Sequence, residues 1–354
     1  MSKYIAIMAG GIGSRFWPSS TTERPKQFLD ILGVGKSLIR MTFERCLHLV
    51  PADHILIVTN KKYKKLVMEH LPELPEINIL CEPSMNNTGP CVAYTALRIR
   101  AMCPDATFAV LPSDHVILKE GAYVDILGRA FDFAADNNAL VTLGIQPTRP
   151  DTGYGYINYN AQAIPNQGNH IYKVKSFKEK PDATTAQHYL DSGEYLWNAG
   201  MFVWSVASII KSFEAHAPEI LKLLTQDISF YNTAEEQAYI DTVYPKTENI
   251  SIDYAILERA DNVYTIPADI GWSDLGTWSS LHAYMSKEDD RVTIGKNIHL
   301  IESKDLIVMS NNDKTIVIKG LEDFIVIDEE NALLIYPKSD EQEIKQIVNT
   351  ISSL

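Results

Sequence analysis

Residues 10–18 read Gly-Gly-Ile-Gly-Ser-Arg-Phe-Trp-Pro, and residues 25–28 read Pro-Lys-Gln-Phe. The first block follows directly on a short apolar run at residues 4–9. A glycine-rich turn leaving a strand lets backbone N–H groups approach a polyphosphate closely, because no Cβ stands in the way. Arg15 and Lys26 add a forked cation and a point cation to the same segment. Gly10, Gly11, Gly13, Arg15 and Lys26 therefore read as nucleotide-phosphate residues.

Two better-known phosphate motifs fail here. The dinucleotide pattern G-x-G-x-x-G, started at Gly11, is met at Gly13 but finds Phe16 where its third glycine belongs. A P-loop built on Gly35-Lys36-Ser37 needs a glycine where Asp30 stands.

Working outward, apolar runs at 55–59, 77–81, 107–111 and 139–144 alternate with helical patterns through Leu38, Met41, Cys46 and Leu49 and through Val124, Leu127, Phe131 and Ala134. This alternation predicts a Rossmann-like α/β domain with a mostly parallel sheet, whose ligands sit beyond the carboxyl ends of the strands. Longer strands are expected at 154–159 and 172–178. The run 196–206 carries an Asn-Ala-Gly break, and helices are expected at 207–215 and 252–259. From Val292 short apolar runs recur every eight to ten residues, separated by polar turns. That texture predicts a small separate β unit, and periodicity alone leaves an antiparallel sandwich open. The chain should end in a helix over 340–351 with Ile344, Ile347 and Val348 on one side. The expected division is a catalytic domain, 1–290, and a C-terminal unit, 291–354.

Composition bounds the function. The 354 residues carry 32 basic and 45 acidic side chains, a net charge of −13, which excludes the basic surface of a nucleic-acid binder. A phosphate site must then be a local positive pocket in a negative field, where metal ions help. Cys46, Cys81, Cys91 and Cys103 form no C-x-x-C pair, so neither a zinc site nor a redox motif is indicated. The N-terminal apolar run is too short for a signal peptide and no run reaches the length of a membrane span, so a cytoplasmic protein with no membrane partner is expected.

Three further blocks carry chemistry. Glu82-Pro83-Ser84-Met85-Asn86-Asn87-Thr88-Gly89-Pro90 follows the third strand. Thr88 is placed to cap a helix starting near Pro90, while the carboxylate of Glu82 has the acceptors that guanine N1–H and its exocyclic amine require. Pro112-Ser113-Asp114-His115 ends the fourth strand, where an acid faces the ligand crevice or caps the next helix. Asp274, in Gly271-Trp272-Ser273-Asp274-Leu275-Gly276, has the same two readings.

Together these blocks resemble the sugar-nucleotide pyrophosphorylases and, more narrowly, the bacterial mannose-1-phosphate guanylyltransferases. The opening block is similar to that family's G-G-x-G-x-R-x-W-P and P-K-Q-F signature, with Phe16 where leucine is common. Thr152-Gly153-Tyr154-Gly155-Tyr156-Ile157, Phe177-Lys178-Glu179-Lys180-Pro181 and Trp197-Asn198-Ala199-Gly200-Met201-Phe202 match further family motifs, and the likeness runs from about residue 3 to 285. It implies a glycosyltransferase-A-like catalytic domain and a few turns of left-handed β-helix. It also implies nucleobase and nucleotide contacts at Glu82, Asn87, Thr88 and Ser113. Sugar contacts are implied at Gly155, Glu179 and Asn198, and a phosphate contact at Lys180. Mg²⁺ is implied on Asp114 and Asp274, with Asp253 holding the sugar site together.

The implied reaction transfers GMP from GTP to α-D-mannose 1-phosphate, in a homodimer. Another sugar 1-phosphate and triphosphate pair, or a non-catalytic nucleotide-sugar sensor, are the alternatives. Longer members of that family continue into a cupin-type isomerase domain, which is not expected in this sequence. Because residues 292–354 hold none of the matched motifs, they are expected to serve assembly more than chemistry, and a chain ending near Asp290 is expected to keep its active-site groups but to lose oligomer, solubility or both.

Overall fold

The computed structural model describes residues 2–11, 13–160, 170–286 and 290–351. They pack as two compact units that interleave along the chain: Met1–Gly10, Phe43–Pro112 and Ile117–Trp272 form one, and Gly11–Thr42, Ser113–Val116 and Ser273–Leu354 the other. These units cut across the linear division expected at 290/291.

The first unit is built on nine strands: β1 Lys3–Ala9, β2 Ile55–Asn60, β3 Ile79–Glu82, β4 Thr107–Pro112, β5 Leu140–Ile145, β6 Tyr156–Tyr159, β7 Tyr172–Lys178, β8 Tyr195–Ser205 and β9 Val263–Pro267. Their order in the sheet is β3-β2-β1-β4-β8-β5-β9-β7-β6. β1 pairs in parallel with β2 and β4, β2 with β3, and β5 with β9, whereas β8 runs antiparallel to both of its neighbours. The parallel strands are almost wholly buried runs of Ile, Leu, Val and Ala, as a sheet covered on both faces requires. The helix Thr88–Met102 covers part of the sheet, and Val92, Ala96, Leu97 and Ile99 share a core with Leu56, Val58, Phe108 and Trp204.

Local differences from the sequence reading have physical causes. The strand expected at 77–81 starts two residues later, because a 3₁₀ turn follows Pro75 and leaves Ile77 exposed. The break at 198–200 does not end its strand. It is absorbed as a bulge in β8, where Phe202 faces Thr142 but Asn198 faces Gly144, and Gly200 takes φ 66°. The expected helix at 252–259 contains a five-residue π-helical turn, Asp253–Leu257.

The second unit carries six more strands: β10 Arg291–Ile294, β11 Ile298–Ile301, β12 Lys304–Ser310, β13 Ile316–Lys319, β14 Glu322–Asp328 and β15 Leu333–Pro337. β10, β12 and β14 stack in parallel, as do β11 and β13. Leu306 faces Phe324 and Ile298 faces Ile316, an eighteen-residue step in both sheets. The first rung is shorter, with Arg291 facing Leu306, and the stacked parallel rungs make a β-helix and exclude the antiparallel sandwich. β15 closes the stack by pairing antiparallel to β14. Inside it, Leu306, Val308 and Val326 pack with Ile298, Leu300, Ile316 and Ile318.

A second core in this unit joins sequence ends that the motif pattern treats separately. Phe16, Leu29, Ile31 and Leu38 pack with Trp278 and Leu281, and with Val292, Ile307, Ile325 and Ile344. The glycine-rich loop region therefore shares its core with the β-helix and the terminal helix Ile344–Ile351. The expectation that residues 292–354 can be removed without disturbing the active-site groups does not fit this packing.

Candidate active site

In the second unit, Gly13 stands at φ 71°, in the left-handed region, and opens a 3₁₀ turn over Ser14–Phe16. A Cβ on Gly13 would lie 2.5 Å from Lys26 Cβ, so glycine is required both by backbone angle and by close approach. Arg15 is exposed in this turn, while Lys26 is buried. Lys26 Nζ lies 2.9 Å from Asp114 Oδ2, donates to the Asp274 main-chain oxygen at 2.7 Å, and stands 5.5 Å from the centroid of the Phe16 ring. Phe16 in turn packs on Trp278, with ring centroids 4.8 Å apart. These residues line one cavity of about 300 Å³, together with His115, Gly276 and Lys345.

Burial pushes the Asp114 carboxyl up, but Lys26 and then His115 outweigh it, and the group lies below the usual carboxylate range. Neither acid is a helix cap. The helix after Asp114 starts at Glu120, with Lys119 at its N-cap position. The helix after Asp274 is capped by Thr277, in a capping box with Ser280. Asp274 Oδ1 accepts locally from the Gly276 N–H at 3.2 Å. Ser113 is buried, and its carbonyl accepts from Thr42 Oγ1 at 3.2 Å.

Two carboxylates line one cavity, with a lysine ammonium held between the side chain of one and the carbonyl of the other. Among the described residues no three or more His, Cys, Asp and Glu side chains are grouped so that they could hold a metal ion by themselves. The pair fits an ion such as Mg²⁺, which takes few protein ligands and completes its shell with phosphate oxygens and water.

Gly11, exposed, opens the second unit, and the first unit holds the remaining predicted residues in two groups. Glu82 ends β3, buried, with Tyr244 Oη donating to its Oε1. A Cβ on Gly10 would meet Glu82 Oε2 at 3.6 Å, so the end of β1 adjoins this carboxylate. Burial raises the Glu82 pKa to about 7, against the lowering effect of Tyr244 and Cys91. The next helix begins at Thr88 itself, and Asn87, at φ 67°, is its N-cap, with Oδ1 accepting from the Thr88 N–H at 2.9 Å. That corrects the capping role expected of Thr88, whose hydroxyl oxygen accepts from the Ile252 N–H at 2.9 Å instead. Asn86 donates to the carbonyls of Tyr244 and Thr247, which anchors the loop.

The second group gathers Gly155, Glu179, Lys180, Asn198 and Asp253. A Cβ on Gly155 would lie 2.4 Å from Glu179 Oε2, and the Gly155 carbonyl accepts from the Asn198 N–H at 2.8 Å. Lys180 Nζ sits 2.7 Å from Glu179 Oε1, and its pKa is raised: burial alone would lower it, but the Glu179 carboxylate prevails. Asn198 Nδ2 donates to Asp253 Oδ1 at 3.0 Å, while its Oδ1 accepts from Thr142 Oγ1 and the Gly200 N–H, both at 3.1 Å. Every polar atom of the Asn198 amide group that fixes its orientation is thus directed by a neighbour. The bulge of β8 and the π-turn supply two of those partners. Burial first, then Glu179, lifts the Asp253 carboxyl to about 6.

Sequence reasoning missed Lys345. It lies in a stretch without a matched motif, and only the packing of the terminal helix brings it to the cavity. Thr142 and Tyr244 also escaped notice, because a lone Thr or Tyr in an apolar context carries no signal of its own.

Comparison with known proteins agrees with this chemistry. The profile of the Nucleotidyl transferase family matches residues 5–291, and that of the MannoseP isomerase/GMP-like beta-helix domain matches residues 295–351. Mannose-1-phosphate guanylyltransferase RfbM of Salmonella typhimurium is 36% identical over 354 residues, covering 99% of this chain and 72% of its own. A mannose-1-phosphate guanylyltransferase of Escherichia coli K12 is 33% identical over 363 residues, covering 99% of this chain and 73% of its own. A solved structure from Thermus thermophilus, described as mannose-1-phosphate geranyltransferase, is 28% identical, has a TM-score of 0.89, and is matched over 99% of this chain and 100% of its own. With a glycine loop, three cations and two acids at one cavity, and likeness over nearly its whole length, the chain belongs to the nucleotidyl transferase family.

Proposed function

We propose that this protein transfers GMP from GTP to α-D-mannose 1-phosphate, giving GDP-mannose and diphosphate. The observation that carries the reading is the Gly13–Arg15–Lys26–Asp114–Asp274 cavity, in a chain 33–36% identical over nearly its whole length to mannose-1-phosphate guanylyltransferases.

The sugar phosphate needs no activating base. Its second pKa lies near about 6, so it is a dianion at neutral pH. One of its oxygens attacks the α-phosphorus in line. The new P–O bond forms as the bond from the α-phosphorus to the α,β-bridging oxygen breaks, and diphosphate leaves with that oxygen and the electron pair. The protein's task is positioning and charge neutralisation.

In this reading Gly10, Gly11, Gly13, Arg15, Lys26 and Ser113 attend the nucleotide phosphates. Glu82, Asn87 and Thr88 form the base region. Gly155, Glu179 and Asn198 hold the sugar, and Lys180 its phosphate. When bound by Asp114 and Asp274, Mg²⁺ supplies neutralisation of the phosphate charge. Burial keeps Lys26 dry, so its attraction for phosphate is stronger than that of a surface lysine.

We further propose a cytoplasmic homodimer, and a functional division of the sequence into a catalytic part, 1–290, and a C-terminal part, 291–354. No helix among the described residues is long and apolar enough to cross a membrane.

The test is a coupled diphosphate-release assay across four nucleoside triphosphates and several sugar 1-phosphates. The reading expects GTP with mannose 1-phosphate to be the preferred pair. Preference for another pair replaces the substrate assignment. No release from any pair, with GDP-mannose still bound, favours a sensor.

A further inference from the structure

Of the three cations lining the loop cavity, two are uncommitted. Lys26 is tied to Asp114 and to the Asp274 carbonyl. Arg15 and Lys345 are exposed, and neither has an ion-pair partner among the described residues. Lys345 is the second residue of the terminal helix Ile344–Ile351. Ile344, just before it, is buried in the core that holds Phe16, and Val348, one turn later, packs against the same core. Upstream, Glu341 Oε2 accepts from the Ser279 N–H at 2.9 Å. The base of the lysine is therefore fixed while the residue lines the cavity.

The position makes no structural use of the charge, whereas a polyanion in the cavity does. The cavity's three cations against two acids, before any metal binds, also contrast with a chain whose net charge is −13.

We propose that Lys345 is a substrate-contacting residue that, with Arg15, binds the terminal phosphates of the triphosphate and the diphosphate they become. This rests on the reading of the cavity as the triphosphate site. Lys26, held at the two acids, is then left to the α-phosphate side. The C-terminal part of the sequence then supplies one of the site's charged groups, in contrast to the mainly assembling role expected from the absence of motifs.

The test measures binding of sodium diphosphate to the full chain by calorimetry, with and without Mg²⁺, in wild type, Lys345→Ala and Lys345→Arg. Alanine at an exposed helical position keeps the helix. We expect Lys345→Ala to weaken diphosphate binding about tenfold, the loss of one charge-assisted contact, and Lys345→Arg to restore most of it. In kinetics, the KM values for GTP, and for diphosphate in the reverse direction, should rise together while that for mannose 1-phosphate stays unchanged.

Unchanged diphosphate binding in Lys345→Ala overturns the inference. So does an equal loss for diphosphate and mannose 1-phosphate, which marks the helix as merely structural. The two readings fail separately. Lys345-dependent diphosphate binding in a protein that makes no GDP-mannose refutes the proposed function alone. GDP-mannose synthesis with Lys345-independent diphosphate binding refutes this inference alone.

Discussion

Lys26 Nζ and Asp114 Oδ2 lie 2.9 Å apart, and the same ammonium donates to the Asp274 carbonyl. One cation thus ties the Asp114 carboxylate to the Asp274 main chain before any substrate arrives. Lys26→Ala should lower kcat/KM for GTP by about 10- to 150-fold, corresponding to about 1.5–3 kcal/mol for a hydrogen bond to a charged group. Asp114→Asn and Asp274→Asn should each cut kcat by at least about thirtyfold and shift the Mg²⁺ dependence to higher concentration. Steady-state kinetics over a Mg²⁺ series checks both. Near-normal turnover of either asparagine variant at ordinary Mg²⁺ contradicts the two-acid site.

Gly155→Ala places a methyl group 2.4 Å from the present position of Glu179 Oε2. The carboxylate must swing away, and its contact with Lys180 goes with it. The expected result is a KM for mannose 1-phosphate raised about tenfold, the loss of one charged hydrogen bond, with the KM for GTP little changed. Equal effects on the two substrates would show that the variant acts through the fold instead.

Glu82 gives a pH prediction for the ligand-free protein. Burial raises its pKa from the ordinary 4.5 to about 7. The folded state therefore holds this proton more tightly than the unfolded chain does. The resulting stabilisation is complete below pH 4.5 and is lost as pH rises to 7, a contribution of order 3 kcal/mol. Glu82→Gln keeps an oxygen acceptor for Tyr244 but cannot ionise. Its melting temperature should gain on wild type between pH 5 and pH 8. A difference that stays constant across that range contradicts the assignment.

A chain cut after Asp290 loses Val292, Ile307, Ile325 and Ile344 from the core that supports Phe16, Leu29 and Trp278. Each large aliphatic side chain removed from such a core costs about 2–5 kcal/mol, so the loop and both acids lose their support. The truncation should be insoluble, or soluble without diphosphate binding. A soluble truncation that still makes GDP-mannose would show that the loop holds its geometry alone.

The parallel sheet and its site edge were legible because buried Ile–Leu–Val runs such as 55–59 and 107–111 alternate with helical periodicity, and because acids and glycines end those runs. The cluster at Asn198 was legible only as a motif. The bulge that turns Asn198 toward Asp253 depends on the register of β8 against β5, which no local pattern encodes. Asn87 displaced Thr88 as the helix cap because the helix begins at Thr88 itself, earlier than expected, so that the Asn87 Oδ1 meets the Thr88 N–H and the threonine hydroxyl is left to the Ile252 N–H. Lys345 was hidden for a simpler reason. A lysine on an amphipathic helix looks like any solvated charge until Ile344 and Val348 show which way the helix faces.

The most direct measurement mixes the enzyme with GTP and mannose 1-phosphate carrying ¹⁸O at every phosphate oxygen, and follows the products by mass spectrometry. The account predicts GDP-mannose and diphosphate in equal amounts, with all the label in GDP-mannose and none in diphosphate, since the sugar phosphate is the nucleophile. Label in the diphosphate, or no GDP-mannose from an intact and GTP-binding protein, would contradict it.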